Sequence, residues 1–177
     1  MIRKAAFLSL VISITSLYSL NGWSLAITDV GGVDRFIASS DLRNSGSATE
    51  EAWVESILDF DVTFNTSYDS NGSDWTLLDG MSDVYAASIN TASDYFLIKL
   101  GTGGTSLQSH YLFENIGDLD WAVVDFSAAG IDFSIKNISI DRMSHVGEFS
   151  SVSVPEPSSI FLIGLGLLGL IAQRKRH

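Results

Sequence analysis

The chain has 177 residues, with 10 Lys and Arg against 21 Asp and Glu, a formal net charge of −11 and no cysteine. Acid in such excess repels phosphate backbones and excludes a nucleic-acid partner. Without cysteine there are neither disulfides nor thiol chemistry, so stability has to come from a packed core.

The first element is an export signal. Arg3-Lys4 precedes an apolar run over residues 5–20, and Ser24-Leu25-Ala26 sets small residues at the −3 and −1 positions of a cleavage site. Cleavage after Ala26 starts the mature chain at Ile27. The chain then divides into a signal peptide (1–26), an exported domain (27–153) and a C-terminal segment (154–177). All 21 acids fall between Asp29 and Glu156, with only Arg35, Arg43, Lys99, Lys136 and Arg142 to oppose them, so that stretch carries −16. A span of this length makes one domain.

Within it, Ser47-Ala48-Thr49-Glu50 has capping-box spacing, and Ala52, Trp53, Ile57 and Leu58 recur at helical intervals among Glu50, Glu51 and Glu55. The pattern predicts a short helix over 48–58 with its acidic side toward water. Aromatic and β-branched runs at 62–64, 75–78, 84–89, 95–100, 110–116 and 121–126 read as strands, and Ile131, Phe133, Ile135, Ile138 and Ile140 alternate with polar residues in strand rhythm. Asn71-Gly72, Asp79-Gly80, residues 101–104 and Ala129-Gly130 supply the turns. Many short strands and one helix predict an all-β fold, an antiparallel, jelly-roll-like β-sandwich, with a barrel as the rival.

Candidate chemistry is sparse. Asp69, Asn71 and Asp74 surround Gly72 and form a calcium candidate, although the spacing departs from an EF-hand and suits a plain solvated turn. His110 and His145 are the domain's two histidines, which is too few for a zinc site, and both read as hydrogen-bonded structural residues. Asp118 and Asp120 beside Trp121 offer a carboxylate pair next to an aromatic platform, as glycoside hydrolysis requires. A loop leading into a strand accounts for the same three residues. No Gly-x-Ser-x-Gly elbow is present.

The C-terminus is the most informative stretch. Pro155-Glu156-Pro157 leads into thirteen apolar or Gly residues at 160–172, and the chain ends on Arg174-Lys175-Arg176-His177. Thirteen residues make about 20 Å of helix against roughly 30 Å of hydrocarbon, short for a permanent span and suited to a segment held while its flank is processed. The basic cluster stays cytoplasmic as a stop-transfer signal and leaves the domain on the far side of the membrane. This arrangement resembles the PEP-CTERM sorting signal of Gram-negative bacteria.

The resemblance implies handling by a membrane-embedded exosortase, with Pro155, Glu156 and Pro157 as the sorting motif. It also implies a transient inner-membrane stage through the C-terminal helix and a final place at the cell surface or in an exopolysaccharide matrix. The body is similar to a recurrent PEP-CTERM ectodomain of uncharacterised role, through Glu51-Ala52-Trp53-Val54, residues 94–101, residues 110–115, residues 119–124 and Ser144-His145-Val146-Gly147-Glu148-Phe149. That likeness implies no reaction. The expected function is a non-enzymatic exported surface or matrix protein without a cofactor. The alternatives are a carbohydrate-binding module, calcium-assisted through a loop cluster over residues 69–83, and a surface glycoside hydrolase.

Overall fold

A computed structural model describes residues 24–44, 46–101, 107–134 and 138–152. The apolar segments of the signal and of the sorting tail lie outside these residues, as do Pro155, Glu156, Pro157, Arg174, Lys175 and Arg176. Among the described residues no helix is long and apolar enough to cross a membrane.

The elements in chain order are β1 (Arg35–Ser40), α1 (Ser47–Leu58), β2 (Val62–Asp69), β3 (Thr76–Leu77), β4 (Val84–Ser88), β5 (Tyr95–Leu100), β6 (His110–Glu114), β7 (Trp121–Asp125) and β8 (Met143–Ser151). They build an antiparallel β-sandwich from a five-stranded sheet of order β1-β6-β5-β8-β2 and a three-stranded sheet of order β3-β4-β7. Between the sheets lies the main core, with Phe96, Ile98, Tyr111, Phe113 and Val146 from the large sheet facing Trp75, Val124 and Phe126. Phe96 and Phe113 are register partners and stack at 5.2 Å.

Each outer face is also covered. The alternate residues Leu97 and Leu112 of the large sheet pack with Phe149 against Val54 of α1, and Leu25 and Ile27 pack with Val30 over Leu78, Val84, Ala86 and Val123 of the small sheet. Strands buried on both faces lose the apolar/polar alternation that marks a one-sided strand.

For that reason β8 escapes the sequence pattern. Val146, Gly147, Glu148 and Phe149 are all buried in succession, and two of the four are not apolar. It is nonetheless a nine-residue strand that joins β5 to β2. The edge strand β1 is also absent from the sequence reading.

The clean alternation at 131–140 is no strand among the described residues. Gly130 adopts φ +78°, and the Ile131 amide turns back to the Phe126 carbonyl at 2.8 Å. Ile131 and Ile138 are buried in the main core, with Phe133 and Ile140 packed on it. Among the described residues the alternation therefore reports burial of Ile131 and Ile138, and partial burial of Phe133 and Ile140, outside any strand. Nor is Asn71-Gly72 a hairpin turn, because β2 and β3 belong to different sheets and the chain crosses between them there.

The helix forms where expected but differs in two ways. Gly46 is its N-cap with no side-chain cap, so the capping box is not made. Its acids do not simply face water: Glu50 is fully buried, and the Glu51 and Glu55 carboxylates accept the amides of Phe64 and Val62 at 3.1 and 3.4 Å. Those two contacts cap the open edge of β2, an edge that would otherwise invite pairing with another chain. Asp34 does the same for β7, its backbone N–H donating to the Val123 carbonyl and its carboxylate accepting the Val123 amide at 2.7 Å. Part of the negative charge is thus structural.

Candidate functional site

The most unusual chemistry of the fold lies under α1. Successive register partners across all five strands of the large sheet are Ser40, His110, Lys99, His145 and Asp69. Directly opposed residues share a face, and Lys99 lies two and four positions from Leu97 and Tyr95, which pack against the helix side. This polar row therefore lies on the face that α1 covers.

Glu50, Trp53, Val54 and Leu58 form the inward stripe of α1, and Glu50 occupies the place of an apolar residue. Its carboxylate sits between the histidines, Oε2 accepting from His145 Nε2 at 3.1 Å and Oε1 lying 3.6 Å from His110 Nε2. Gly147 leaves room for it, since a Cβ there would approach Glu50 Oε2 to 3.3 Å. On its other side His110 Nδ1 is 2.7 Å from Ser109 Oγ. With the Nε2 proton turned toward Glu50, a neutral His110 accepts the Ser109 hydroxyl.

Burial alone would raise the Glu50 pKa. The close imidazoles of His110 and His145, the latter hydrogen-bonded, and the positive charge they can carry outweigh it and hold the group at about 2. Glu50 is 0% exposed and His110 1%. Ser109, His110 and Glu50 line up as a proton relay would, but two of the three lie beneath a helix where substrate has no access. The arrangement ties α1 to β6 and β8.

Two further buried carboxylates hold loops. Glu148 accepts the amides of Asn90 and Thr91 at 2.7 and 2.9 Å and the Thr91 hydroxyl, pinning the β4–β5 connection. Its charge, together with burial of the ring, drives the Tyr68 phenol upward, burial being the larger cause. Asp34 accepts the amides of Ile116 and Val123, yet burial prevails over these bonds and raises its pKa to about 6.

The residues singled out in the sequence are placed as follows. Asp69 ends β2 and is exposed. Asn71 Oδ1 accepts the Ser73 amide at 2.9 Å, and Asp74 Oδ2 accepts the Asn71 amide at 2.8 Å, so both side chains hold their own 3-10 turn, Gly72–Asp74. Among the described residues no three His, Asp or Glu side chains are grouped to hold a metal ion. Asp118 and Asp120 share one turn, the Asp118 carboxylate accepting the Asp120 amide at 3.2 Å. Trp121 packs half-buried on the small sheet, and Trp75 lies in the main core with its indole N–H on Ser70 Oγ at 3.1 Å.

An open cleft of about 200 Å³ is lined by Asp83, Ser127, Gly130, Ile131, Asp132 and Phe133. Ala26, the expected cleavage position, is part of the fold. Its carbonyl accepts the Asp29 amide at 2.9 Å, its N–H donates to the Asp29 carboxylate at 3.0 Å, and the neighbouring Leu25 carbonyl accepts the Asp79 amide at 3.0 Å.

Sequence reasoning identified His110 and His145 but missed Glu50 as their partner. The signal for it was present, since Glu50 precedes Trp53, Val54 and Leu58 by three, four and eight residues, on one helical stripe.

Comparison with curated proteins finds no match, and comparison with solved structures finds none. The protein family described as the PEP-CTERM protein-sorting motif matches residues 153–176. The β-sandwich therefore carries, directly after its last described residue, a sorting motif that marks an exported protein for handling by an exosortase and delivery to the cell surface.

Proposed function

We propose that this protein is a non-enzymatic constituent of the cell surface or extracellular matrix, associated with exopolysaccharide. In this reading the signal peptide is removed after Ala26 and the C-terminal helix holds the domain at the inner membrane. The exosortase then acts at Pro155-Glu156-Pro157, with Arg174-Lys175-Arg176 as the cytoplasmic stop. The observation that carries the reading is the sorting motif at 153–176. The sandwich supports it: the buried carboxylates are spent on loops, strand edges and the helix, and the three tryptophans of the described domain pack on or within apolar clusters.

The test is to express the full chain in a host with its cognate exosortase and in one without. Loss of everything beyond about Pro157 only when the enzyme is present, with the product at the surface, is the expected outcome. An intact tail retained in the inner membrane in both hosts would refute the sorting role.

A further inference from the structure

Three of the large apolar side chains left exposed lie at the end of α1 and just beyond the ends of α1 and β8: Ile57, Phe60 and Val152 are 40%, 42% and 44% exposed. The fold brings the last two together. The Val152 amide donates to the Asp61 carbonyl at 3.4 Å, next to Phe60, and Val62 is the register partner of Ser151. Phe60 in turn leans on Tyr95, with ring centroids 6.1 Å apart. The apolar ledge so formed is flanked by the exposed acids Asp59 and Asp61.

The sorting motif begins at residue 153, immediately after the last backbone bond that holds β8 to the domain. Glu156 lies four positions after Val152, so a fully extended chain carries it at most about 14 Å from Val152. An enzyme that grips Glu156 and its prolines cannot stand off from a folded domain on so short a tether. Its surface must meet the surface around Val152.

Resting on the sorting role proposed above, we infer that the ledge of Phe60 and Val152 is a docking surface for the exosortase. It would place an apolar patch, ringed by acid, against an apolar and basic periplasmic surface of that enzyme. Folding of the sandwich then becomes part of substrate recognition, because the ledge exists only when α1 and β8 are both in place.

Photo-cross-linking in the full-length chain tests this without disturbing the fold. A photoreactive amino acid at position 60 should yield an exosortase adduct at least several-fold above that from position 77, an equally exposed apolar site on the small sheet (Leu77, 45% exposed). Alongside it, Phe60→Ser with Val152→Ser should slow tail removal several-fold, while Leu77→Ser should not. A flexible insertion between Val152 and Ser153 should make processing insensitive to the Phe60 and Val152 changes. Equal adducts from positions 60 and 77, with the unmodified chain still processed, would overturn the ledge and leave the sorting role standing. A natural chain that is not processed at all would overturn both.

Discussion

Replacing Glu50 is the sharpest probe of how this fold is held. Its carboxylate is fully buried, 3.1 Å from His145 Nε2 and 3.6 Å from His110 Nε2. Glu50→Ala removes one member of a buried cluster and leaves two imidazoles and a cavity in its place, which costs about 3–5 kcal/mol. For a domain of this size that lowers the melting midpoint by roughly 10–20 °C. Glu50→Gln keeps the shape and removes the charge, so it isolates the ionisation. The Glu50 pKa is about 2 in the folded chain against an ordinary 4.5. A depressed carboxylate contributes stability above its unfolded pKa and loses it as pH falls through the folded one. Between pH 4.5 and 2 the natural protein should lose about 3 kcal/mol from this group, a loss that Glu50→Gln does not show. Denaturant melts of both proteins at pH 7, 4.5, 3 and 2 measure the difference. Parallel pH profiles for the natural and Gln proteins, or an Ala variant within about 1 kcal/mol of the natural one at pH 7, would refute the reasoning.

Asp34 behaves with the opposite sign. Its folded pKa of about 6 lies above the ordinary 3.8, so folding favours its protonated form, and its contribution falls by about 3 kcal/mol as pH rises from 3.8 to 6. Carboxyl carbon NMR should show one aspartate titrating near 6, and Asp34→Asn should flatten the decline over that interval. Gly31 has φ +81°, and a Cβ there would lie 2.1 Å from the Asp118 backbone nitrogen. Gly31→Ala should therefore cost about 3 kcal/mol or more, against about 1 kcal/mol for Gly80→Ala, which shares the left-handed backbone (φ +73°) but faces open space; paired thermal melts check the contrast. A chain beginning at Ile27 lacks the half-buried Leu25 side chain and the bond from Asp79, and it should be less stable by about 2 kcal/mol than one beginning at Leu25. N-terminal sequencing of the exported protein, read beside melts of both forms, ties this difference to the processing site.

The helix at α1 and the strands β4, β5, β6 and β7 were legible in the chain because each carries a local period or a run of strand-forming side chains bounded by turns. The sorting motif was legible for a related reason, since Pro155-Glu156-Pro157, the apolar run and the basic end act through composition and order along the chain. What tertiary structure decided lies wherever a residue's role depends on a distant partner. β8 owes its strand to β5 and β2 on either side, so its Gly147 and Glu148 look wrong for a buried strand until Glu50 and the β4–β5 loop are placed against them. Ile131, Phe133, Ile138 and Ile140 show the converse, a strand rhythm spent on filling the core from outside any strand. The cluster of Glu50, His110 and His145 joins residues 35 to 95 positions apart, a separation over which no local pattern operates. Sequence alone settled that this protein is addressed for export and built from β-strands, because address and periodicity are local properties; that the strands close as a two-sheet sandwich and not as a barrel was decided by their pairing. Which acids seal strand edges, which are buried against imidazoles, and which apolar side chains stay exposed beside the sorting motif was decided only when the sheets closed, because burial and pairing belong to the packed chain.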